Sequence, residues 1–305
     1  MKNRPNAISD RAAPKQQRNW DWRAASNFIA GGAGGSLLLF TALADLAPGT
    51  ARAAIFLGLA LIGAGLTCVW FEIGRPWRAL NVYRHFETSW MTREAVVAAV
   101  LFAAGGVALL TVWPLFVMLT GVLGLVFLYS QARILAANKG IPTWRHPRSI
   151  PLMIATGLAE GAGFLACVLA AFTSGINVGV LAGLMALLAI RALFWKVYLA
   201  AVEADGVPDA ALKVLGGMDS GFMIFGHVFP GVVIVAALAG MPGSTVWMFA
   251  AGLAAVASGW FLKFTLVRRA AFTQGISVRH LPVRGRGAGG VEAKPGWVAA
   301  SGAKP

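Results

Sequence analysis

The densest group of chemically capable side chains lies between Glu72 and Glu94. Arginine, asparagine, histidine and tryptophan accompany the three carboxylates of this stretch, and an apolar run flanks it on each side. Aromatic and hydrogen-bonding side chains at a membrane surface suit the head group of a quinone, because its two carbonyl oxygens need donors and its reduction consumes two protons. An ordinary basic loop at a membrane interface has the same composition, so both interpretations remain open.

Local sequence signals indicate how this stretch is positioned. Gly74 and Pro76 are expected to end the preceding apolar helix. A short helix follows, which places Trp77, Leu80 and Arg84 on one side and suits a segment lying flat at the interface. Ser89, or Thr92, is then expected to cap the next helix, with Arg93 and Glu94 in its first turn.

Two further ionisable residues fall near the middle of apolar runs. Glu160 and Arg191 lie in consecutive runs joined by a short turn, and an ion pair between them is geometrically plausible. Ionisable groups inside a membrane are costly and are usually paired or functional. The pair is thus either structural or a step in a proton path. His227, also inside a run, is either a core histidine bonded to a neighbouring carbonyl or a proton-handling group.

Resident redox centres are not expected in this chain. Cys68 and Cys167 lie in apolar runs without a nearby partner, which argues against a disulfide or an iron–sulfur cluster. Of four histidines, only His227 lies within an apolar run, whereas a haem between helices would need two. No metal site is predicted.

The elements that carry these residues are apolar helices. Of 305 residues, 58% are hydrophobic and 12% charged, which exceeds what one water-soluble core would bury. A membrane-spanning helix needs about 20 mostly apolar residues. Eight such runs are predicted, at 28–47, 53–71, 95–112, 115–135, 151–172, 178–200, 221–240 and 245–267. The fold class is therefore an all-α integral membrane protein with an eight-helix bundle, in which Gly31 with Gly35 and Gly157 with Gly161 allow close helix contact.

Basic residues indicate the orientation. Assigned by position, 25 of the 26 lysines and arginines fall on the face of the tails and long loops, and Arg52 alone falls on the other. The positive-inside rule then places both termini in the cytoplasm. It also explains the net charge of +14 without nucleic acid. The expected organisation is a retained basic tail at 1–27 rather than a signal peptide, a membrane domain at 28–267, and a second cytoplasmic tail at 268–305 that is disordered towards its end.

Two stretches resemble the membrane anchor subunits of dimethyl sulfoxide reductase and its relatives, the DmsC family. The first is Gly74-Arg75-Pro76-x-Arg78-Ala79-x-Asn81 followed by Thr88-Ser89-Trp90-x-x-Arg93-Glu94. The second begins at Lys263 and continues through Leu281-Pro282-Val283-Arg284-Gly285. In architecture, the resemblance covers nearly the whole sequence.

This resemblance implies a subunit without catalysis of its own in a bacterial inner membrane. It would fix a molybdopterin catalytic subunit and a four-cluster ferredoxin-like iron–sulfur subunit to the lipid, and exchange electrons with ubiquinone or menaquinone. In known members a histidine at the position of Glu72 is implicated in quinol binding, so Glu72 would handle the proton. The residues assigned to quinone binding and proton transfer are Glu72, Arg75, Arg78, Asn81 and His85. Those assigned to partner docking are Trp77, Arg84, Trp90 and Arg93.

The charge distribution places the expected partners in the cytoplasm, as in sulfite-oxidising and phenylacetyl-CoA-oxidising relatives. A secondary transporter is an alternative, favoured by the ionisable residues at mid-membrane, although no inverted repeat is evident. A purely structural anchor without a quinone site is another.

Overall fold

The computed structural model describes residues 13–72 and 86–275, and within these ranges eight helices are long and apolar enough to cross a membrane. We number them span one to span eight in sequence order. Their bounds are Trp22–Leu43, Pro48–Glu72, Trp90–Thr111, Pro114–Ala137, Ser149–Phe172, Val178–Ala204, Asp209–Leu238 and Ser244–Arg269. The predicted eight-span, all-helical membrane protein is confirmed.

Span seven begins earlier than the hydropathy pattern predicts, at Asp209 rather than at residue 221. Its first half carries Lys213 and Asp219, which lower the local hydropathy. The same segment nevertheless buries Ala211 and Leu215 on one face at helical spacing. Amphipathic packing against the bundle therefore extends the helix beyond its apolar part.

Local capping explains several helix starts. The Asp21 carboxylate accepts a hydrogen bond from the Arg23 backbone N–H at 2.7 Å and begins span one. Ser89 Oγ accepts from the Thr92 backbone N–H at 3.3 Å, so the cap of span three is Ser89, the first of the two predicted candidates. Pro114 occupies the first turn of span four, where its missing N–H costs nothing.

Span five is the central helix, and most of its side chains are buried against spans one, six and eight. Span one also contacts spans two and four. Glycine makes close contacts with span four possible: a Cβ atom on Gly35 of span one would lie 2.5 Å from the carbonyl oxygen of Gly124, and one on Gly157 of span five would lie 2.5 Å from Leu128 Cδ1. Cβ atoms on Gly31 and Gly161 would likewise overlap neighbouring side chains. The predicted role of these glycines in close packing is confirmed.

The outer surface of the bundle is apolar. Large hydrophobic side chains remain exposed along several spans, among them Phe56, Leu110, Leu193, Phe225 and Val232. Exposed apolar surface of this extent is what a lipid solvent requires.

The two ends of the described structure pair with each other. Gln16 and Phe272 form an isolated antiparallel β-bridge, and the Gln17 backbone N–H donates to Ala271 O at 2.8 Å. Trp20 stacks on Trp144, with ring centroids 4.8 Å apart. Both ends therefore lie on one face of the bundle, the face of the connections between spans two and three and between spans four and five.

Replacing Gly35 with alanine should destabilise the bundle, because the new methyl group meets backbone that cannot rotate away. We expect a loss of about 1–3 kcal/mol, the usual range for overpacking, measured by thermal unfolding in one detergent. Gly106→Ala is the matched control, since nothing lies within 4 Å of its added Cβ. It should leave stability unchanged or raise it by up to about 1 kcal/mol. Equal effects of the two substitutions would contradict close packing at Gly35.

Candidate functional site

The connection between spans two and three is described only at its ends. Glu72 is the last residue of span two, and Trp90 and Arg93 lie in the first turn of span three. The other predicted members of the site lie outside the described residues: Arg75, Trp77, Arg78, Asn81, Arg84 and His85. The structure therefore describes only the part of the site that spans one to three form beside this connection.

A cavity of about 540 Å³ lies between the start of span one, the end of span two and the start of span three. Its polar lining includes Glu72, Glu94 and Asn27. The rest of the wall is mainly apolar and aromatic, and includes Trp20, Phe28, Leu66, Val69, Trp70, Met91, Ala95 and Ile134. An apolar cavity with a few convergent polar groups is typical of a small-molecule site.

Glu94 is the carboxylate held most firmly in this cavity. It is only 6% exposed, and Asn27 Nδ2 donates to its Oε1 at 3.2 Å. The Ser89 cap fixes the start of span three and so places Glu94 one turn inside the helix. The sequence places Glu94 in this turn, but the predicted site does not include it. One signal could have identified Glu94 as a member of the site. It is an ionisable residue at the start of an apolar span, together with a buried amide in span one that can pair with it.

A π-helical turn positions Asn27. Residues Asn27–Gly31 form this wider turn within span one, and the Asn27 carbonyl oxygen faces span four. Gln131 Nε2 donates to that oxygen at 2.9 Å, and Gln131 is fully buried. Gly31 has no side chain to displace Gln131. Span four therefore supports the amide that holds Glu94.

Glu72 is the second carboxylate of the cavity. Its Oε1 is buried and has no hydrogen-bond partner among the described residues. Arg23 ties the neighbouring backbone, since its Nη1 donates to Phe71 O at 2.8 Å. Arg23 also forms an ion pair with Asp21 at 2.8 Å, and the hydrogen bond in this pair holds the pKa of Asp21 below its usual range. Asp21 thus stays ionised, whereas Glu72 presents an unpartnered oxygen to the cavity.

Trp90 and Arg93, predicted to dock a partner, form a stacked group with Arg133. The guanidinium carbon of Arg93 lies 4.3 Å from the Trp90 ring centroid, and that of Arg133 lies 4.6 Å away. Arg93 also donates to the carbonyl oxygens of Phe86 and Glu87. Arg93 therefore orders the residues before span three, and Arg133 is a member of this surface that the sequence did not indicate.

The predicted ion pair between Glu160 and Arg191 is wrong. Glu160 Oε2 pairs instead with Lys263 Nζ at 2.5 Å, and both side chains are fully buried. Span eight lies directly against span five, and this packing brings Lys263, rather than Arg191, into contact with Glu160. In the hydropathy pattern, Lys263 lies near the polar end of the last apolar run, so the pattern does not predict its contact with Glu160.

Arg191 has neutral partners. Its guanidinium donates to Gly226 O at 2.6 Å, to Ala255 O at 2.9 Å and to His227 Nε2 at 3.2 Å. His227 Nδ1 lies 3.1 Å from Phe222 O, the contact with a neighbouring carbonyl that the first of the two interpretations of His227 expects, and the side chain is partly buried. Because a guanidinium can only donate, His227 Nε2 accepts from Arg191, which leaves the proton of the neutral ring on Nδ1 facing Phe222 O.

The burial of Arg191 and Lys263 also affects the orientation that was inferred from the positions of the basic residues. By position, both residues fall on the basic face, but both are fully buried within the bundle. They carry no information on orientation, and the asymmetry depends on the remaining basic residues.

Lys263→Met should destabilise the protein strongly, because it leaves the Glu160 carboxylate buried without a cation. A loss of about 3–5 kcal/mol is expected, whereas the double variant Glu160→Gln/Lys263→Met should unfold near the wild-type temperature. Lys196→Met is the control, since it breaks a half-exposed pair with Asp219 and should cost less than about 1 kcal/mol. Additive effects of the two buried substitutions would contradict direct pairing.

Comparison with known proteins identifies relatives of this chain. The family model for the DMSO reductase anchor subunit (DmsC) matches residues 35–203, more than half of the sequence. A sulfite dehydrogenase subunit of Allochromatium vinosum is 34% identical over 122 residues, which cover 34% of this chain and 38% of that protein. A component of the anaerobic dimethyl sulfoxide reductase of Escherichia coli K12 is 30% identical over 96 residues, covering 28% and 32%. The aligned segments thus span about a third of each relative, while the family match extends over five of the eight spans. The chain belongs to the DMSO reductase anchor subunit (DmsC) family.

Proposed function

We propose that this chain is the membrane anchor and quinone-reactive subunit of a molybdenum and iron–sulfur oxidoreductase. It passes electrons between an iron–sulfur subunit and the membrane quinone pool. Membership of the anchor family supports the first half of this proposal. The cavity with Glu72 and Glu94 in its wall carries the second half.

The cavity suits a quinone head group in size and chemistry. Its volume of about 540 Å³ lies in the usual range for small-molecule sites, and its walls are mainly apolar. The indoles of Trp20 and Trp70 provide flat surfaces for a ring. A bound ubiquinone or menaquinone supplies two-electron chemistry that is coupled to two protons.

The residues of this chain handle those protons. Glu94, held by Asn27 at 3.2 Å, keeps its carboxyl group at the cavity wall. Glu72 offers a second carboxyl group, and its Oε1 has no hydrogen-bond partner among the described residues. Each carboxyl group can give a proton to a carbonyl oxygen of the ring or accept one from a hydroxyl.

The partners are a four-cluster ferredoxin-like iron–sulfur subunit and a molybdopterin catalytic subunit. Two relatives bear the names of components of a sulfite dehydrogenase and of a dimethyl sulfoxide reductase, which fits an accessory subunit of such an enzyme. The surface formed by Trp90, Arg93 and Arg133 lies beside the cavity and suits acidic groups of the iron–sulfur subunit. Docking there brings a cluster close to the quinone.

We also propose that this face, with both termini, lies in the cytoplasm of a bacterial inner membrane. Described basic residues such as Arg93, Arg133, Arg145 and Arg148 lie at the ends of spans or in connections on this face, whereas Arg52 lies at the opposite one. The positive-inside rule supports this orientation.

Glu94→Gln should reduce quinone-coupled turnover by about 10²-fold or more, because the amide can neither give nor take a proton. Glu72→Gln should act in the same direction. Oxidation or reduction by a soluble dye should be unchanged in both, since the dye exchanges electrons with the catalytic subunits directly. Glu87→Gln, at an exposed carboxylate before span three, is the matched control and should behave as wild type. Loss of both activities, or of neither, would count against the quinone site.

Single cysteines test the orientation, after Cys68 and Cys167 are replaced by alanine. Ser174→Cys, in the exposed turn after span five, should react with a membrane-impermeant maleimide in spheroplasts. Thr88→Cys, exposed before span three, should react only after permeabilisation. The reverse labelling pattern would place the anchor face outside the cytoplasm.

A further inference from the structure

Buried polar groups continue from the cavity towards the middle of the membrane. The first step runs from Glu94 to Asn27, whose carbonyl oxygen accepts from Gln131. The Gln131 side chain also lies within interaction range of the Glu94 carboxylate. Gln131 is fully buried and lies one helical turn before Ile134, the residue of span four that lines the cavity.

The second step runs from Gln131 to Lys263 across Gly32. A Cβ atom on Gly32 would lie 2.6 Å from Lys263 Nζ and 3.4 Å from Gln131 Oε1. These two atoms are therefore at most about 6 Å apart, a separation that one water molecule can bridge. Gly32 is thus the point where the absence of a side chain lets the two polar groups approach.

The third step is the ion pair of Lys263 with Glu160 at 2.5 Å, near the middle of span five. Gly259 makes room for the carboxyl group, since a Cβ atom there would overlap Glu160 Oε1. Asn27 Oδ1, Gln131 Oε1 and Glu160 Oε1 are all buried, and none has a hydrogen-bond partner among the described residues. Three unpaired acceptors thus lie along one route from Glu94 to Glu160.

Stability alone does not explain this arrangement. A buried ion pair is often no more stabilising than apolar residues of similar volume, and a buried acceptor without a partner is destabilising. Internal water satisfies such acceptors where the site is polar. Hydrogen-bonded water between an ammonium group and a carboxylate also conducts protons.

We propose that the Lys263–Glu160 pair stores a proton for the cavity, and that water bound along Asn27, Gln131 and Lys263 connects the pair to Glu94. This proposal rests on the quinone-reactive function proposed above. The Glu94 carboxyl group gives its proton to a quinone oxygen as electrons arrive from an iron–sulfur cluster of the partner subunit. The Lys263 ammonium group then returns a proton to Glu94 through the water. Glu72 supplies the second proton. Between turnovers, Lys263 and Glu72 each take up a proton again from the aqueous face. Oxidation of quinol runs the same transfers in reverse.

The test uses the double variant Glu160→Gln/Lys263→Met in the complete complex, reconstituted in lipid nanodiscs. It removes the store without leaving an unpaired charge. Affinity for a quinone-analogue inhibitor, followed by tryptophan fluorescence, should stay within about twofold of wild type, and dye-coupled activity should be unchanged. Quinone-coupled turnover should fall about tenfold or more, with a larger solvent isotope effect in D₂O. The control, Glu203→Gln/Lys213→Met, changes the same residue types at exposed positions and should have no effect.

Full quinone-coupled turnover in the double variant would overturn the proton store but leave the quinone site standing. Failure of the wild-type protein to bind the analogue would instead overturn the proposed function. A second measurement does not depend on the stability of a variant. Infrared difference spectra of the wild type, recorded on quinone reduction in H₂O and in H₂¹⁸O, should show internal-water and buried-carboxyl bands. Absence of the water bands would refute the proposal.

Discussion

Span one lies against spans two and four at a distance set by backbone atoms, because Gly34 and Gly35 present no side chains to Gly58 and Gly124. In lipid, helices gain little from burying apolar surface against each other, so close van der Waals packing of this kind holds them together. The same contact fixes the height and rotation of span one. It thereby sets the amide of Asn27 beside Glu94 at one depth, and Gly32 beside Lys263 at another. The cavity and the polar route behind it both depend on this register.

Polar groups in a membrane protein need partners inside the bundle, and this protein supplies them by two means. One is the wider π-helical turn: in span one its Asn27 carbonyl oxygen accepts from Gln131, and in span seven its Gly226 carbonyl oxygen accepts from Arg191 of span six. The other is the missing Cβ of glycine, which gives Glu160 its room. Such devices preserve the helices while they admit ionisable side chains.

The accessory role that we propose leaves the redox centres to partner subunits and gives the anchor control of protons and access. The family match covers Glu72, Glu94, Gln131 and Glu160, but Asn27 and Lys263 lie outside it. Segments beyond the matched region therefore complete both the cavity and the ion pair.

The sequence by itself determined the number of membrane-spanning helices and their order, and it limited the cap of span three to Ser89 or Thr92. Hydropathy, capping and turn chemistry are local, so they can be read along the sequence. Only the tertiary structure decided that Glu160 pairs with Lys263 rather than Arg191, and that Asn27 and Gln131 hold Glu94. These choices depend on which helices are neighbours and how each is rotated. Distant parts of the sequence fix both, and no local pattern in either partner encodes them.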